Sequence, residues 1–410
     1  MQLSTVSRAG EWRSLRRIAA SAVAMTLAVS ACSSAASPSP SASTSASSTP
    51  AASQATASCT LGSDPDAALA GLSSKVFATG PFGETPTAPS AITLTDTEIA
   101  QVKAMNATAA IAMHIQGDWT NAQIAGLTAT FNKLGIKIVS NTNGEGKTEK
   151  QVADIETALV QKPSVFVSIP WSPGDEVAAY QKIVASGAKL VFADNAIPGF
   201  KAGKDYVSTV SADNYGNGVA AAYLMAKSLK AKNGDYVGSI GIVWFDIDFF
   251  VTNQRRDGFR NTIKACFPNI KVAEDQGFPS GSDLAGAAET VTSAMLARNP
   301  KLDGIWAVWD QPAEGVIAAA RAAGRNDLIV TTEDLGLTAA LSIKKGEFIT
   351  GLGAQRPYDQ GVAEATLAAY ALLGKTAPAY VAANALPVTK DNLLDAWQAV
   401  YHADPPAQLK

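Results

Sequence analysis

The sequence predicts an α/β protein built as two Rossmann-like, doubly wound parallel-sheet lobes. Three observations carry that expectation. From Ala109 onward, short apolar runs alternate with amphipathic stretches at helical spacing, the pattern of βαβ units. The runs are nearly continuous in Val, Ile, Leu and Phe, as strands covered by helices on both faces must be. They fall into two sets along 410 residues, a length with room for two domains of ordinary size.

In chain order, the first 31 residues hold Arg13, Arg16 and Arg17, an apolar run from Ile18 to Val29, and small residues before Cys32. This reads as a secretory signal, because the run is too short to span a membrane comfortably. Val29-Ser30-Ala31-Cys32 resembles a bacterial lipobox, which makes Cys32 the candidate lipidation site; a plain signal with an incidental Cys is the other reading. Residues 32–58 are almost only Ser, Ala, Thr and Pro and cannot bury enough apolar area to fold, so they read as a spacer. Cys59 and Cys266 are then either a disulfide, which an exported compartment permits, or two separate thiols.

The expected strands are 109–115, 136–140, 165–170 and 190–193 in the first set, and 237–243, 302–308, 329–332 and 349–353 in the second. Helices are expected at 121–134, 148–161, 175–186, 214–230, 253–265, 283–298, 312–323, 336–345 and 357–373. Asp175, Asp283 and Asp391 read as helix caps, Trp306 as core inside its strand, and Trp397 as an anchor for the tail.

Ligands of open α/β sheets gather beyond the carboxyl ends of the strands, so the residues after each run are the ones that matter. Asp118 and Trp119 follow the first, Trp171 the third, Asp194 and Asn195 the fourth. In the second set come Trp244 with Asp246 and Asp248, Trp309 with Asp310, Glu333 with Asp334, and Gln355 with Arg356. Indole faces stack on the C–H faces of a sugar while carboxylates and amides take its hydroxyls, so this pattern points to a carbohydrate site. For any one Trp the competing role is core packing, and for any one Asp a helix cap.

Other functions are disfavoured. The formal charge of −3 becomes about −6 once the leader, with four Arg and one Glu, is set aside, and no basic stripe suits a nucleic acid. Two histidines, His114 and His402, are too few for most zinc sites or His-based triads, so neither a metal, a cofactor nor a catalytic residue is expected. Asn141-Thr-Asn-Gly-Glu-Gly-Lys147-Thr148 imitates a phosphate-binding loop but lacks its first glycine. Cys266 has no His partner in its sequence context. His114, at the end of the first strand, either faces a cleft or is an ordinary half-buried histidine.

Five segments occur in a telling order: Ala188-Lys-Leu-Val-Phe-Ala-Asp194-Asn195, Ser211-Ala-Asp213-Asn214-Tyr-Gly-Asn-Gly218, Arg255-Arg-Asp-Gly258-Phe259, Thr332-Glu-Asp334 and Gln355-Arg-Pro-Tyr-Asp-Gln360-Gly361. From about Ala109 to about Gly374 the chain resembles the ribose-binding-like (type 1) substrate-binding proteins of bacterial sugar ABC transporters. The resemblance implies Trp119 as an aromatic platform, Asp194 and Asp334 as the acids of the two lobes, and Gln355 where the chain recrosses. Asn195 and Asn253 stand where pentose binders usually carry Arg, and Trp309 where they carry Asn. The pocket is therefore expected to be less cationic and more aromatic than usual, suited to a deoxy sugar, polyol or other small hydroxylated molecule.

The same resemblance implies three crossings between lobes, near Ala212, Gln355 and 379–381. With the leader at 1–31 and the linker at 32–58 read above from composition, the chain then divides into an extension at 59–108, an N-lobe of 109–212 plus 356–379, a C-lobe of 213–355 plus 380–400, and a tail at 401–410. The implied protein is a monomeric receptor, lipid-anchored to the outer face of the bacterial cytoplasmic membrane, that hands its ligand to a permease. A sensor for a signalling partner keeps the ligand and changes the output. A glycosidase is the least favoured reading, since its chemistry needs two carboxyls about 5–10 Å apart across one bond.

Overall fold

A computed structural model describes residues 59–410; the leader, the linker and Cys32 lie outside the described residues. In chain order the elements are α1 Pro65–Gly71, α2 Asp96–Ala104, β1 Thr108–Met113, α3 Asp118–Leu134, β2 Lys137–Asn143, α4 Thr148–Val160, β3 Val165–Ser168, α5 Val177–Ser186, β4 Lys189–Ala193 and β5 Thr209–Ala212. They continue with α6 Asn214–Asn233, β6 Gly238–Phe245, α7 Phe250–Cys266, β7 Ile270–Phe278, α8 Leu284–Arg298, β8 Gly304–Ala307, α9 Asp310–Ala322 and β9 Ile329–Glu333. The last are α10 Leu337–Lys345, β10 Ile349–Ala354, α11 Pro357–Leu372, β11 Tyr380–Ala383, β12 Leu386–Val388 and α12 Leu393–Tyr401.

The strands form two six-stranded sheets, ordered β11-β5-β4-β3-β1-β2 and β12-β10-β9-β8-β6-β7. The two orders correspond strand for strand, and all pairings are parallel except β12 on β10. Such strands are buried by helices on both faces: β3, β5, β8 and β9 have no residue outside the interior. Trp306 is core as expected, stacked on Phe259 at 5.0 Å between ring centroids, with its Nε1 donating to Glu333 Oε1.

The chain crosses between sheets after β5, after β10 and after β11. The last differs from the expected crossing at 379–381 and moves the lobe boundary there. Tyr380–Ala383 pair in register with Thr209–Ala212 and so belong to the first sheet; the crossing falls at Asn384 and Ala385. Asp283 caps α8 by accepting from Gly286 N, but Asp175 and Asp391 are not caps. Asp175 accepts from Ser172 Oγ instead, and Thr389 supplies the cap at the turn containing Asp391.

Three helix pairs meet backbone to backbone at a glycine; in one of them a Cβ on Gly315 of α9 would lie 2.0 Å from the Ala285 oxygen of α8. A Cβ on Gly218 of α6 would lie 2.0 Å from the Arg255 carbonyl oxygen of α7, and one on Gly258 of α7 would lie 2.1 Å from the Tyr215 oxygen of α6. The first lobe repeats the arrangement: Gly126 of α3 faces the Tyr358 oxygen of α11 at 2.1 Å, and Gly361 of α11 the Gln123 oxygen at 2.2 Å.

Residues 59–107 run over both lobes rather than along one. Cys59 is bonded to Cys266 at the end of α7, with 4.9 Å between Cα atoms, which settles the open choice in favour of a bridge. Lys227 of α6 pairs with Asp66 of α1. Asn384 at the third crossing donates to Ser73 O, and the Phe77 and Ala78 amides donate to the Asp213 carboxylate at the first. The segment then extends the first sheet by a bridge from Thr87 to Val381, accepts from Tyr370 Oη through Thr93 O, and pairs Glu98 with Lys375.

Because the clash at Gly258 is with backbone, Gly258→Ala must push α6 and α7 apart, at a cost of about 1–3 kcal/mol or more. Thermal unfolding should show the loss as a lowered Tm, with Gly174→Ala, whose new Cβ meets no atom within 4 Å, left near the parent.

Candidate functional site

A cavity of about 310 Å³ opens between the lobes at the carboxyl ends of the strands. Four helices, α3, α7, α9 and α10, aim their first turns toward it.

On the first lobe, β1 ends just before His114, which is 6% exposed. Trp119 stands edge-on to its ring at 6.4 Å, and Trp171 lies 5.8 Å away. Burial pushes the His114 pKa down to about 3, so the imidazole is neutral, and its Nδ1 has no hydrogen-bond partner. Trp171 is held in turn by Gln151, whose Oε1 accepts from its amide. Asp194 directly follows β4 with φ of +54°, in the left-handed region that side chains other than Gly seldom occupy. Its Oδ1 accepts from Ser211 Oγ at 2.5 Å and Gln360 Nε2 at 3.3 Å. Gln360 also donates to Gln355 Oε1, tying the second crossing to this acid. Burial raises the Asp194 pKa to about 7, against the pull of Ser211 and Arg255.

The second lobe offers the counterpart. Asp334 directly follows β9 with φ of +64°, the position equivalent to Asp194 in a sheet of the same order. Arg255 Nη1 donates to its Oδ2 at 2.9 Å and Nη2 to its Oδ1 at 3.2 Å, a bidentate pair in the interior. The same guanidinium donates to Asn214 Oδ1 and Val308 O. Trp309 stands at the start of α9, edge-on to Phe245 at 5.5 Å. Asp310 accepts from Gly336 N at 2.8 Å; burial, and then the charge of Asp334, raise its pKa to about 7.

Two bonds join the lobes across the cleft. Leu337 N of α10 donates to Asp118 Oδ2 at 2.9 Å, and Val251 N of α7 donates to Asn195 Oδ1 at 3.4 Å. Phe249 stacks on His114 at 5.9 Å and Phe245 packs on Trp171 at 5.5 Å. The two lobes therefore meet around the cavity.

Of the ten residues expected at the site, Asp118, Trp119, Trp171, Asp194, Trp309, Asp334 and Gln355 line the cavity. Asn195, Trp244 and Asn253 do not. Asn195 is buried at the lobe contact just described. Successive residues of a strand face opposite sides, so Phe245 turns to the cavity and Trp244 away from it, beneath the Arg256 guanidinium at 3.6 Å. Asn253 donates to Asp248 Oδ1 on the outer side of α7. Asp310, which the strand-end rule paired with Trp309, also lines the cavity, whereas Arg255, Phe245 and Phe249 are lining residues that the rule did not single out. Arg255 carried a signal: it precedes Gly258 and Phe259 by three and four residues, on the buried face of one helix.

With this geometry in place, the comparison with known proteins is direct. The sequence profile of the periplasmic binding protein domain matches residues 109–376. The chain belongs to that family. Among curated relatives of this periplasmic binding protein, the D-ribose/D-allose-binding protein of Pseudomonas aeruginosa is 30% identical over 192 residues, 46% of this chain and 57% of the relative's own length. A carbohydrate transporter solute-binding protein from Agrobacterium radiobacter, solved with D-arabinose, superposes with a TM-score of 0.65 at 24% identity, covering 72% of this chain and 99% of that one. An ABC transporter solute-binding protein from Actinobacillus succinogenes with bound D-allose gives 0.61 at 21% identity, covering 70% and 99%.

The raised carboxyls have a measurable consequence. Asp194, Asp310 and Glu176, the last also raised by burial to about 7, hold protons in the fold that an unfolded chain releases near pH 4, so their contribution to stability fades as pH rises from about 4 to 7. His114 acts oppositely, because the fold refuses a proton that the unfolded chain takes near pH 6.5. Three groups outweigh one, so the Tm of the ligand-free periplasmic binding protein should rise as pH falls from 8 to 5, and Asp310→Asn should flatten that slope. A Tm that is level over this range would contradict the assignment.

Proposed function

We propose that the protein is an extracytoplasmic solute-binding protein of an ABC transporter, which closes on a small sugar or sugar-like polyol and delivers it to the membrane permease. The observation that carries this is the composition of the cavity: indole and phenyl rings alternate there with carboxylates, both kinds of group come from both lobes, and each lobe sets one acid, Asp194 or Asp334, directly after a central strand. Rings suit the apolar faces of a sugar and carboxylates its hydroxyl rim. The relatives and solved structures named above point the same way.

Closure supplies the mechanism. Trp119 and Asp194 move with one lobe, Trp309 and Asp334 with the other, so a ligand touching all four binds the closed state better than the open one. Only that differential affinity shifts the equilibrium. The role is binding without turnover: the two acids are held by Ser211, Gln360 and Arg255, an arrangement for fixing hydroxyls. On this reading the leader exports the chain, Cys32 carries the lipid anchor at the outer face of the cytoplasmic membrane, the spacer at 32–58 frees the lobes to meet the permease, and the receptor works as a monomer.

A thermal-shift screen against monosaccharides, deoxy sugars and polyols tests the reading. A true ligand at 100 times its Kd adds about 2.7 kcal/mol to stability, a readily visible rise in Tm. Asp194→Ala and Trp119→Ala should each weaken that ligand at least tenfold by calorimetry; unchanged affinity in both would remove these residues from the site.

A further inference from the structure

We propose that the ligand of this cleft carries a protonated amine, placing it among amino sugars or amino polyols rather than neutral or acidic ones; the inference rests on the carbohydrate reading above. The cavity is rich in acceptors and short of positive charge. Asp118, Asp194, Asp310 and Asp334 line it, with Glu314 at the exposed rim. Arg255 is the one cationic side chain lining it among the described residues. That guanidinium is already committed, since its bonds to Asn214, Val308 and Asp334 use four of its five N–H groups.

Helix ends do not restore the balance. The four first turns that open on the cavity contribute roughly +0.5 each, which with Arg255 falls short of the five carboxylates by about two charges once Asp194 and Asp310 are ionised, above about pH 7. Nor is the amino end of α10 free for an anion. Its Gly336 and Leu337 amides already donate to Asp310 and Asp118, so the protein's own carboxylates occupy the place that a phosphate or uronate would need.

A second observation is independent of the acids. His114 is buried and lines the cavity with Nδ1 unpartnered, and the depression of its pKa keeps it neutral, so it does not supply the missing charge. Around it the rings of Trp119, Trp171 and Phe249 form an aromatic wall, a surface that attracts an ammonium group through its π faces. An ammonium has three donors and no acceptor, the complement of this lining. A metal ion is the other cation to weigh, but among the described residues no group of three or more His, Cys, Asp or Glu side chains is arranged to hold one.

Matched ligands test the inference on the full protein. Calorimetry at pH 7.5 would compare D-glucose, D-glucosamine, N-acetyl-D-glucosamine and D-glucuronate, and the corresponding galactose and mannose sets. The expected result is that the best amine binds at least tenfold tighter than its neutral and N-acetylated twins, that the uronates do not bind, and that Asp310→Asn narrows the gap between amine and neutral sugar. A neutral sugar binding as tightly as its amine, or any uronate binding, overturns the inference and leaves the carbohydrate receptor standing. Failure of the whole panel overturns both.

Discussion

The Arg255 guanidinium is the joint on which the cleft depends. It reaches from α7 to the first residue of α6, to the carbonyl that ends the β8 strand region, and to the acid after β9, so one planar cation fixes three separate parts of the second lobe. A buried charge is tolerated only when paired and fully bonded, and breaking such a pair from one side leaves an uncompensated ion. The glycine contact between α6 and α7 is what allows the reach. Gly218 lies against the carbonyl of Arg255 itself, so close helix packing and placement of the cation are one constraint.

The two lobes solve the same problem with the same backbone. Asp194 and Asp334 sit one residue past equivalent strands, both in the left-handed region, where a non-glycine residue costs of order 1–3 kcal/mol and persists only when its surroundings impose it. The impositions differ. Asp194 is held by hydroxyl and amide donors, Asp334 by a cation. One cleft thus contains an acid whose pKa burial raises to about 7 and another whose charge is matched by a guanidinium, giving two unlike acceptors from one repeated turn.

Most of the fold was legible because parallel strands buried on both faces write themselves as apolar runs and their helices as amphipathic ones. What escaped follows from the same physics. The β5 segment Thr-Val-Ser-Ala is half hydroxyl residues that nevertheless lie fully in the interior, and β7 is an edge strand with an exposed, charged sequence, so neither shows as an apolar run. The β11 strand was assigned to the wrong lobe because its four residues carry no mark of which sheet they join. At the site, strand ends located eight lining residues, Asp310 among them, but not the parity of a strand. Trp244 and Phe245 are adjacent aromatics, and only the pleat decides that the second faces the cavity. Arg255 lies within a helix rather than at a strand end, so a rule built on strand ends passes over it.

The bond from Cys59 to Cys266 spans 207 positions and so closes a covalent ring that contains every strand from β1 to β6. Two of its arcs pass between lobes: the crossing after β5, and the stretch from Cys59 on the second lobe to Thr108 on the first. Cutting any one peptide bond inside the ring leaves a linear chain whose halves are still joined through sulfur. An extracellular protease that nicks one arc therefore leaves both walls of the cleft on one molecule.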